Sequence, residues 1–386
     1  MKSISLSLCA LFLPALVAQE SSLAVTHGPY LQELTSDGVT ILWTTNNPCV
    51  GRVEYGVDKL TQTAQTVRHG MVNANTTHHA VRITGLKPGQ KYQYRLANTE
   101  ILKFGAYDTT LGKTIDCETY AFTTLNPAPA EFTFIVTQDI HSQAAKYASL
   151  LDKVNVGGAT FVVLNGDMDN DPKEESQIYS GHLDLSVERF AKEKPFILVQ
   201  GNHETRAAFA RKLFDIYPHS SGRWYYSFTH GGVYFMVLAS GEDKPDDHPV
   251  YAGLNAFADY RIEQAKWIEQ ELQSNAAKAA RYRVVFTHIP AFINRLENVR
   301  TQDQNNTIAV LPGEWAPLFR KGNVDLVISG HTHRHMWQAP GTEKGDYALI
   351  VGSNQEIETI TVTEKALEID VQSLVSESKN YRVPKR

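Results

Sequence analysis

The chain has 386 residues, of which 37 are basic and 42 acidic, and its formal net charge at pH 7 is −5. This length is sufficient for two domains with a sizeable core. Lys and Arg are nearly balanced by Asp and Glu and do not cluster in runs, which argues against nucleic-acid binding and attachment to a membrane surface. We therefore expect no nucleic-acid partner.

The first residues, "MKSISLSLCALFLPALVAQE", have the pattern of a secretory signal peptide. Lys2 supplies the positive end, Ile4 to Val17 the apolar stretch and Ala18 a small cleavage residue. We predict a signal peptide over residues 1–18 and a secreted or periplasmic protein, with an uncleaved anchor as the alternative. Later apolar runs are too short to cross a bilayer, so we expect no membrane span in the mature chain.

Two cysteines, Cys49 and Cys117, follow the predicted signal peptide. In an exported chain such a pair can form a disulfide, and two free thiols are the alternative.

Residues 24–125 read as short strands separated by turns. In "VTILWTT", Val39, Ile41 and Trp43 share one face at a spacing of two, which is typical of a half-buried strand. Long helical periodicity is missing, so we predict an all-β sandwich. The stretch "ITGLKPGQKYQYRL" resembles the fibronectin type III pattern, which implies a domain able to contact a protein or a saccharide.

A proline-containing linker, "NPAPAE", spans residues 126–131. From residue 132 to 376, helical and strand patterns alternate, which favours an α/β domain with a buried sheet. The predicted helices are "HSQAAKYASLLDKV", "AAFARKLFDIY" and "FADYRIEQAKWIEQELQS", and the predicted strands include "FVVLNGD", "PFILVQGNHE", "RVVFTHIP" and "VDLVISGHTH".

Five apolar runs of this domain end in polar residues that can bind metal. These residues are Asp139 and His141, Asp167, Asn202 and His203, His288, and His331 and His333. Open α/β sheets bind ligands at the carboxyl ends of their strands, so these side chains should converge. Residues two apart at a strand end also share a face, which applies to Asp139 with His141 and to His331 with His333.

The donor set indicates the type of ion. It lacks thiolates, which makes a structural zinc site improbable, and its carboxylate, imidazole and amide groups suit iron, manganese or zinc. Without His203, the residues of this set supply seven ligands. Seven are too many for one ion but fit two ions that share a bridge, for which the Asp167 carboxylate is suited. The charge of two such ions exceeds that of two carboxylates, so the site attracts phosphate and generates a hydroxide nucleophile near neutral pH.

The motifs "DIH", "GDMDN", "GNHE", "THIP" and "GHTH" occur in this order between Phe132 and His333. They resemble the five motifs of the calcineurin-like metallophosphoesterases. With the β-sandwich ahead of them, the architecture is similar to that of purple acid phosphatases. The resemblance implies a four-layer α-β-β-α sandwich for the second domain.

The resemblance also implies roles for these residues. One metal is held by Asp139, His141 and His333, the other by Asn202, His288 and His331, and both by Asp167. His203 is implied to be a catalytic residue that faces the substrate and protonates the leaving oxygen. A purely structural role beside the metals is the alternative for His203.

Two departures separate this chain from the families it resembles. Purple acid phosphatases have a glycine at the position of His141 and a metal-binding tyrosine at that of Asn170, so we expect neither a purple colour nor an obligatory ferric ion. The second motif also lacks the arginine of the Ser/Thr protein phosphatases, which disfavours protein phosphatase activity of that type.

Several further residues are weaker candidates. Arg206 and Asn170 are candidate substrate-binding residues, with an ion pair to a surface carboxylate as the alternative for Arg206. His335 either orients a ligand or is packed or solvated. We expect His230 and His248 to be ordinary loop residues. The remaining group either lines a cleft or, as we favour, belongs mostly to the sheet core: Trp224, Tyr225, Tyr226 and Tyr251.

Together these patterns predict an exported, binuclear metal-dependent phosphatase that hydrolyses phosphate monoesters through a metal-bound hydroxide. A phosphodiesterase is the first alternative, because Asp-x-His in the first motif also resembles cyclic-nucleotide phosphodiesterases. A binding protein without catalysis is the second. An acid pH optimum is a hypothesis from the purple acid phosphatase resemblance.

Overall fold

The structure is a computed structural model that describes residues 22–129, 131–291, 315–341 and 346–386. The predicted signal peptide lies outside the described residues. Within the described ranges, no helix is both long enough and apolar enough to cross a membrane.

The amino-terminal part of the chain is built from strands. They are β1 (Val25–Gln32), β2 (Val39–Gly56), β3 (Gln62–Ala64), β4 (Val67–Arg68), β5 (Met71–Val72), β6 (Thr76–Ile83), β7 (Lys91–Phe104), β8 (Thr109–Asp116) and β9 (Tyr120–Thr123).

The long strand β2 serves both halves of a sandwich. Its first half pairs with β1 and β6, the register shifts between Thr44 and Cys49, and its second half pairs with β7 and β3. Trp43 from the first half and Val53 from the second are buried in the same core, where the Trp43 Nε1–H donates to Asn98 Oδ1 at 2.9 Å. The predicted β-sandwich is therefore confirmed.

Cys49 and Cys117 are both free thiols. The Asn98 side chain lies near each of them, with its oxygen 3.9 Å from the Cys49 sulfur and its nitrogen 4.0 Å from the Cys117 sulfur. The alternative without a disulfide is the one that the structure shows.

The second part alternates strands and helices. The strands are β10 (Phe132–Thr137), β11 (Phe161–Leu164), β12 (Phe196–Leu198), β13 (Tyr226–His230), β14 (Val233–Val237), β15 (Tyr282–Phe286), β16 (Leu326–Ser329), β17 (Met336–Gln338), β18 (Ala348–Val351), β19 (Glu356–Val362), β20 (Ala366–Ser373) and β21 (Lys379–Pro384). The helices are α1 (Ala144–Leu151), α2 (Glu175–Ile178), α3 (Asp184–Ser186), α4 (Leu213–Ile216), α5 (Phe257–Leu272), α6 (Asn275–Ala279) and α7 (Trp315–Lys321).

These strands form two six-stranded sheets in the described residues. Their orders are β12-β11-β10-β19-β20-β21 and β13-β14-β15-β16-β18-β17. The sheets pack face to face through an apolar layer that includes Phe134, Phe161 and Phe235. Helices cover both outer faces, with α1 on the first sheet and α5 and α7 on the second. The predicted four-layer sandwich is confirmed.

One helical segment is absent from the sequence-based expectations. Two π-helical stretches, Tyr179–Leu183 and Val187–Ala191, join α2 and α3 into a continuous helix from 175 to 191. Its buried residues Tyr179, Leu183, Val187 and Phe190 recur at intervals of three or four, so the core-facing side keeps a helical spacing through the π-turns. The β-sandwich contacts this segment, since His78 Nε2 lies 2.6 Å from Glu175 Oε1 and the Tyr94 hydroxyl donates to the Lys192 carbonyl.

Candidate metal centre

The turns that follow five strands bring the predicted metal ligands together. β10, β11 and β12 are parallel in one sheet and β15 and β16 in the other, and each is followed within four residues by a predicted ligand. Asp139, His141 and His333 each place one ligand atom within 4.8 Å of the others, as do Asp167, His288 and His331. Asn202 joins the second group, because its Oδ1 lies 3.0 Å from His331 Nδ1.

In the first group, three donor atoms face a common point. Asp139 Oδ1 lies 3.3 Å from His333 Nε2 and 3.9 Å from His141 Nε2, and the two Nε2 atoms are 2.9 Å apart. Asp139 is fully buried, and its Oδ1 has no hydrogen-bond partner among the described residues. Because burial lowers the pKa of His141 to about 4, this imidazole is neutral at pH 7 and offers a lone pair. The group therefore has the chemistry of a cation site.

In the second group, a hydrogen bond from Nδ1 fixes the orientation of the His288 ring. Its Nδ1 donates to the Asn165 carbonyl oxygen at 2.8 Å, so Nε2 is the nitrogen that faces Asp167 Oδ2, at 3.0 Å. Burial opposes a charge on His288, but the Asp167 carboxylate raises the pKa of His288 to about 10. A positive charge at this nitrogen is thus strongly favoured, and a metal ion would supply it.

Asp167 lies between the two groups. Its Oδ2 faces His288, while its Oδ1 accepts the backbone N–H of His203 at 2.9 Å. A third set of donor atoms within 4.8 Å of one another consists of His141, Asp167 and His203, so Asp167 also approaches the first group. This position suits a carboxylate that bridges two ions.

The backbone at these positions is unusual. Five of the predicted ligands are in the left-handed region: φ is 55° at Asp139, 52° at His141, 52° at Asp167, 71° at His331 and 54° at His333. Such residues cost free energy and persist only when their surroundings hold them. Here the N–H groups of Asp139 and His141 donate to the carbonyls of Gly166 and Asp167 at 3.0 and 2.9 Å. Gly166 is required at its position, because a Cβ would lie 2.4 Å from the His288 ring.

Glu204 is a site residue that the motif analysis did not single out. Its buried carboxylate accepts the backbone N–H groups of Gly201, Asp167, Met168 and Asp169 at 2.7–3.1 Å. Burial and Asp167 raise the pKa of Glu204 to about 8, but the four donors leave no acceptor for a carboxyl proton, so we assign the ionised form. Glu204 thus holds the Asp167 loop against the Asn202 loop. An acidic residue directly after "GNH" was the signal that could have revealed it.

His203 lies beside both groups. Its Nε2 is 3.9 Å from Asp167 Oδ2 and its ring packs edge-on against His141 at 4.6 Å. Its Nδ1 is 3.2 Å from Asp171 Oδ1, and its Nε2 is 3.1 Å from Arg206 Nη1. The side chain is therefore close enough to act on a substrate bound between the two groups.

The two candidate substrate-binding residues differ in their surroundings. Arg206 pairs with carboxylates, since its Nε and Nη2 donate to Glu242 at 3.0 and 2.9 Å, and Nη2 also donates to Asp243 at 3.0 Å. Arg206 therefore forms ion pairs, as in the second alternative, but its partner Glu242 is buried and not a surface carboxylate. Asn170 is exposed, and its backbone N–H donates to Ser142 Oγ at 3.1 Å.

Three further candidate histidines belong to neither group. His335 is packed, with Nδ1 2.8 Å from Glu356 Oε2 and Nε2 2.8 Å from the Tyr381 hydroxyl. His230 is buried at the end of β13, where burial lowers its pKa to about 4, so it is not the ordinary loop residue that we expected. His248 lies in an exposed turn and accepts the Val250 N–H.

Most of the aromatic candidates belong to the core. Tyr225 is buried, and Trp224 packs edge-on against Phe214 with 5.2 Å between the ring centres. Tyr226 packs against the apolar layer between the sheets. Tyr251 differs from the others, because its hydroxyl lies 3.4 Å from Asp243 Oδ1, close to Arg206.

Comparisons with curated proteins give partial matches. The serine/threonine-protein phosphatase CPPED1 of Bos taurus is 31% identical over 141 residues, which covers 36% of this chain and 42% of that protein. The protein of the same name from Mus musculus is 27% identical over 179 residues, covering 45% and 54%. The matched part of this chain thus spans about half the length of these relatives.

Solved structures show the same fold at low identity. Purple acid phosphatase PPD1 from Lupinus luteus superposes with a TM-score of 0.65 at 15% identity, covering 91% of this chain and 73% of that one. A structure of PhoD gives a TM-score of 0.58 at 14% identity, covering 92% and 88%.

Two family models match adjacent parts of the chain. Residues 29–124 match the purple acid phosphatase N-terminal domain. Residues 132–335, more than half of the chain, match the calcineurin-like phosphoesterase family, whose fold implies divalent metal ions. The chain therefore belongs to the calcineurin-like phosphoesterase family, with a purple acid phosphatase N-terminal domain ahead of its phosphoesterase domain.

Proposed function

We propose that this chain hydrolyses phosphate monoesters at a site that holds two metal ions. The observation that carries the proposal is the convergence of seven oxygen and nitrogen donors into two groups that meet at Asp167. Asp139, His141 and His333 would hold one ion, Asn202, His288 and His331 the other, and Asp167 both. When bound, two such ions would act as Lewis acids on the phosphoryl group and supply an activated water.

The donor set fits transition metals. Imidazole, carboxylate and amide groups suit iron, manganese or zinc in divalent or trivalent form, and no thiolate is present to favour a closed structural zinc site. Asp139 and Asp167 carry the negative charges among the seven donors. Two bound ions would therefore leave the site positive and attractive to a phosphate group.

His203 would move the proton that the leaving group needs. An alkoxide leaves poorly, and an imidazole nitrogen within hydrogen-bond reach can protonate it. The Asp171 carboxylate, 3.2 Å from Nδ1, would stabilise the charged imidazole. Asp167 contributes a second restraint, because it accepts the His203 backbone N–H.

The preference for monoesters is supported by the curated relatives. CPPED1 is named a serine/threonine-protein phosphatase, and phosphoserine and phosphothreonine are phosphate monoesters. A phosphodiesterase with the same two-metal site is the second candidate. It is favoured by His141, whose Nε2 lies 2.9 Å from His333 Nε2 and gives the first metal a histidine that purple acid phosphatases lack.

Export and the role of the β-sandwich belong to the same proposal. The signal-peptide pattern of residues 1–18 supports a secreted or periplasmic enzyme that acts on a small phosphorylated molecule. The β-sandwich would supply any contact with a protein or saccharide. A protein without catalysis is disfavoured, because all seven donors and His203 are present and brought together.

The proposal is tested with the purified mature chain. Metal analysis should give about two ions per chain, and p-nitrophenyl phosphate should be turned over faster than bis-p-nitrophenyl phosphate. Chelation should abolish turnover, and reloading with zinc, manganese or iron in separate samples should restore it and identify the active metal. Faster diester turnover would favour the phosphodiesterase, whereas absence of bound metal would overturn both candidates.

A further inference from the structure

Arg206 uses most of its guanidinium on carboxylates. Its Nε donates to Glu242 Oε1 at 3.0 Å, and its Nη2 donates to Glu242 Oε2 at 2.9 Å and to Asp243 Oδ1 at 3.0 Å. Recognition of a phosphate by arginine generally uses two parallel N–H groups of this fork. In Arg206 these groups are occupied, and Nη1 is the nitrogen left to face the metal centre.

The Nη1 atom contacts His203. It lies 3.1 Å from His203 Nε2, and because a guanidinium can only donate, the imidazole nitrogen accepts. The other ring nitrogen, Nδ1, lies 3.2 Å from Asp171 Oδ1. Neither Nδ1 nor Asp171 Oδ1 has a hydrogen-bond partner among the described residues, so the His203 ring is held at Nε2 by Arg206. With Nε2 accepting, the ring proton is on Nδ1, which is the nitrogen available to protonate a leaving group.

The carboxylate that holds Arg206 is itself rigidly placed. Glu242 is 2% exposed and follows β14. Gly241 before it has φ +68°, and a Cβ there would lie 2.4 Å from the Phe257 ring. From α5, Arg261 donates to the Ser240 and Glu242 carbonyl oxygens at 3.1 and 3.4 Å. The chain of contacts thus runs from α5 through Glu242 and Arg206 to His203.

We propose that Arg206 is a positioning residue, which orients the His203 imidazole with Glu242 as its anchor and does not bind the phosphate. This assignment rests on the proposed function, in which His203 protonates the leaving group. Arg206 would then act on turnover through the orientation of His203. Affinity for the phosphate group would come from the metal centre.

The test is a double-mutant cycle of Arg206→Lys and His203→Ala, with kcat and KM measured for p-nitrophenyl phosphate and the binding of inorganic phosphate measured by calorimetry. Lysine keeps the charge but loses the planar fork. Arg206→Lys should lower kcat roughly 10–100-fold, as expected for a misplaced catalytic group, with KM and the phosphate Kd within about twofold of wild type. In the His203→Ala background, the Arg206→Lys substitution should change kcat by less than about twofold.

Two further variants support the cycle. Glu242→Gln leaves Arg206 in the chain but weakens its anchor, and it should reproduce much of the kcat loss. Arg211→Lys, at an exposed arginine on the nearby turn Phe209–Lys212, is the matched control and should change neither kcat nor KM. The melting temperature of each variant shows whether it is folded.

The outcomes separate this assignment from the proposed function. A phosphate Kd or KM at least tenfold weaker in Arg206→Lys, in both His203 backgrounds, would show a phosphate ligand and overturn the assignment alone. An equal kcat loss in both backgrounds would overturn it as well. A wild type that turns over neither ester would overturn the proposed function and this assignment with it.

Discussion

The layer between the two sheets and the rim where their strands end differ in almost every physical respect. The layer consists of apolar side chains such as Phe134, Phe235 and Phe286, all fully buried. At the rim, two to four residues beyond the strand ends, the buried side chains include Asp139, Asp167 and His288. The same short segments contain the five predicted ligands that are in the left-handed region.

The difference shows how the fold tolerates an unfavourable site. Buried carboxylates and left-handed residues each cost free energy, and they persist where the surrounding structure determines them. Phe134 stands only five residues before Asp139, so the packed layer fixes the start of the turn that carries the ligand. We therefore expect substitutions at the rim to affect chemistry and metal binding, and substitutions in the layer to affect stability.

The largest effect is expected for Asp167→Asn. An amide is a weak bridging ligand, so turnover should fall on the order of 10³-fold, equivalent to about 4 kcal/mol, and the bound metal should fall below two ions per chain. The melting temperature of the metal-free protein should fall, because the buried His288 imidazole loses the carboxylate that it faces at 3.0 Å. Kinetics, metal analysis and thermal unfolding check these three expectations.

The matched control is Asp152→Asn. Asp152 is an exposed carboxylate at the end of α1 that pairs with Arg189 at 2.9 Å. It should keep wild-type turnover and metal content. If Asp167→Asn kept its metals and its turnover, Asp167 would not be a bridging ligand.

Phe235→Ala tests the apolar layer. Its ring packs at 5.5 Å from Phe134 and 5.4 Å from Phe161, and its loss should lower the free energy of unfolding by about 3–5 kcal/mol. Per folded molecule, kcat should stay within about threefold of wild type, because the rim turns remain supported by the other strands. Denaturant unfolding and activity corrected for the folded fraction provide the measurement.

Phe104→Ala is the comparison for this variant. Phe104 is 59% exposed on β7, so its removal should change the free energy of unfolding by less than about 0.5 kcal/mol. A kcat loss above tenfold in folded Phe235→Ala would contradict the separation between layer and rim.

Glu204→Gln changes the support of the rim without touching a proposed ligand. The amide nitrogen cannot accept the N–H groups that one carboxylate oxygen now binds, so the Asp167 loop should move. Removal of such supporting contacts typically weakens metal affinity 10–100-fold, and we expect a loss in this range. Competition with a chelator measures the affinity, with exposed Glu188→Gln as the control. Unchanged metal affinity would mean that the loop is held by its other contacts.

The sequence was informative where a local pattern has one physical meaning. Apolar runs followed by Asp139, Asp167 or His288 predicted strands whose carboxyl ends converge, because a parallel sheet places those ends together. The two-domain fold followed from the change of periodicity at residues 126–131. Both inferences needed only short-range patterns.

Other features depend on contacts that sequence spacing does not encode. Arg206 and Glu242 are 36 residues apart, and their pairing follows from the neighbouring positions of β12 and β14 loops across two sheets. The helix from 175 to 191 is a different case: its buried residues Tyr179, Leu183, Val187 and Phe190 recur at intervals of three or four, so the sequence carried a signal for it. The left-handed conformations of Asp139 and His331 are supported by tertiary hydrogen bonds to distant residues, which residue type alone does not specify.

The smallest effect is expected at Glu356, the first residue of β19 in the first sheet. Although burial opposes its charge, hydrogen bonds from His335 and Lys379 lower the pKa of Glu356 from 4.5 to about 2. A depressed carboxyl pKa stabilises the fold above the ordinary pKa, and this contribution is lost as the pH falls from 4.5 towards 2. The full shift corresponds to about 3 kcal/mol, and we expect about 1–2 kcal/mol because Lys379 is partly exposed and screened.

Glu356→Gln should therefore destabilise the protein at pH 6 and flatten the decline in stability between pH 4.5 and 2, as measured by urea unfolding at each pH. Glu368→Gln is the matched control, because Glu368 pairs with Arg382 at 2.9 Å on the same sheet but is exposed. That variant should follow the wild-type pH dependence. If Glu356→Gln left the pH dependence of the free energy of unfolding unchanged between pH 4.5 and 2, the acid sensitivity would come from other groups. The rim carboxylates Asp139 and Asp167 would be the next groups to test.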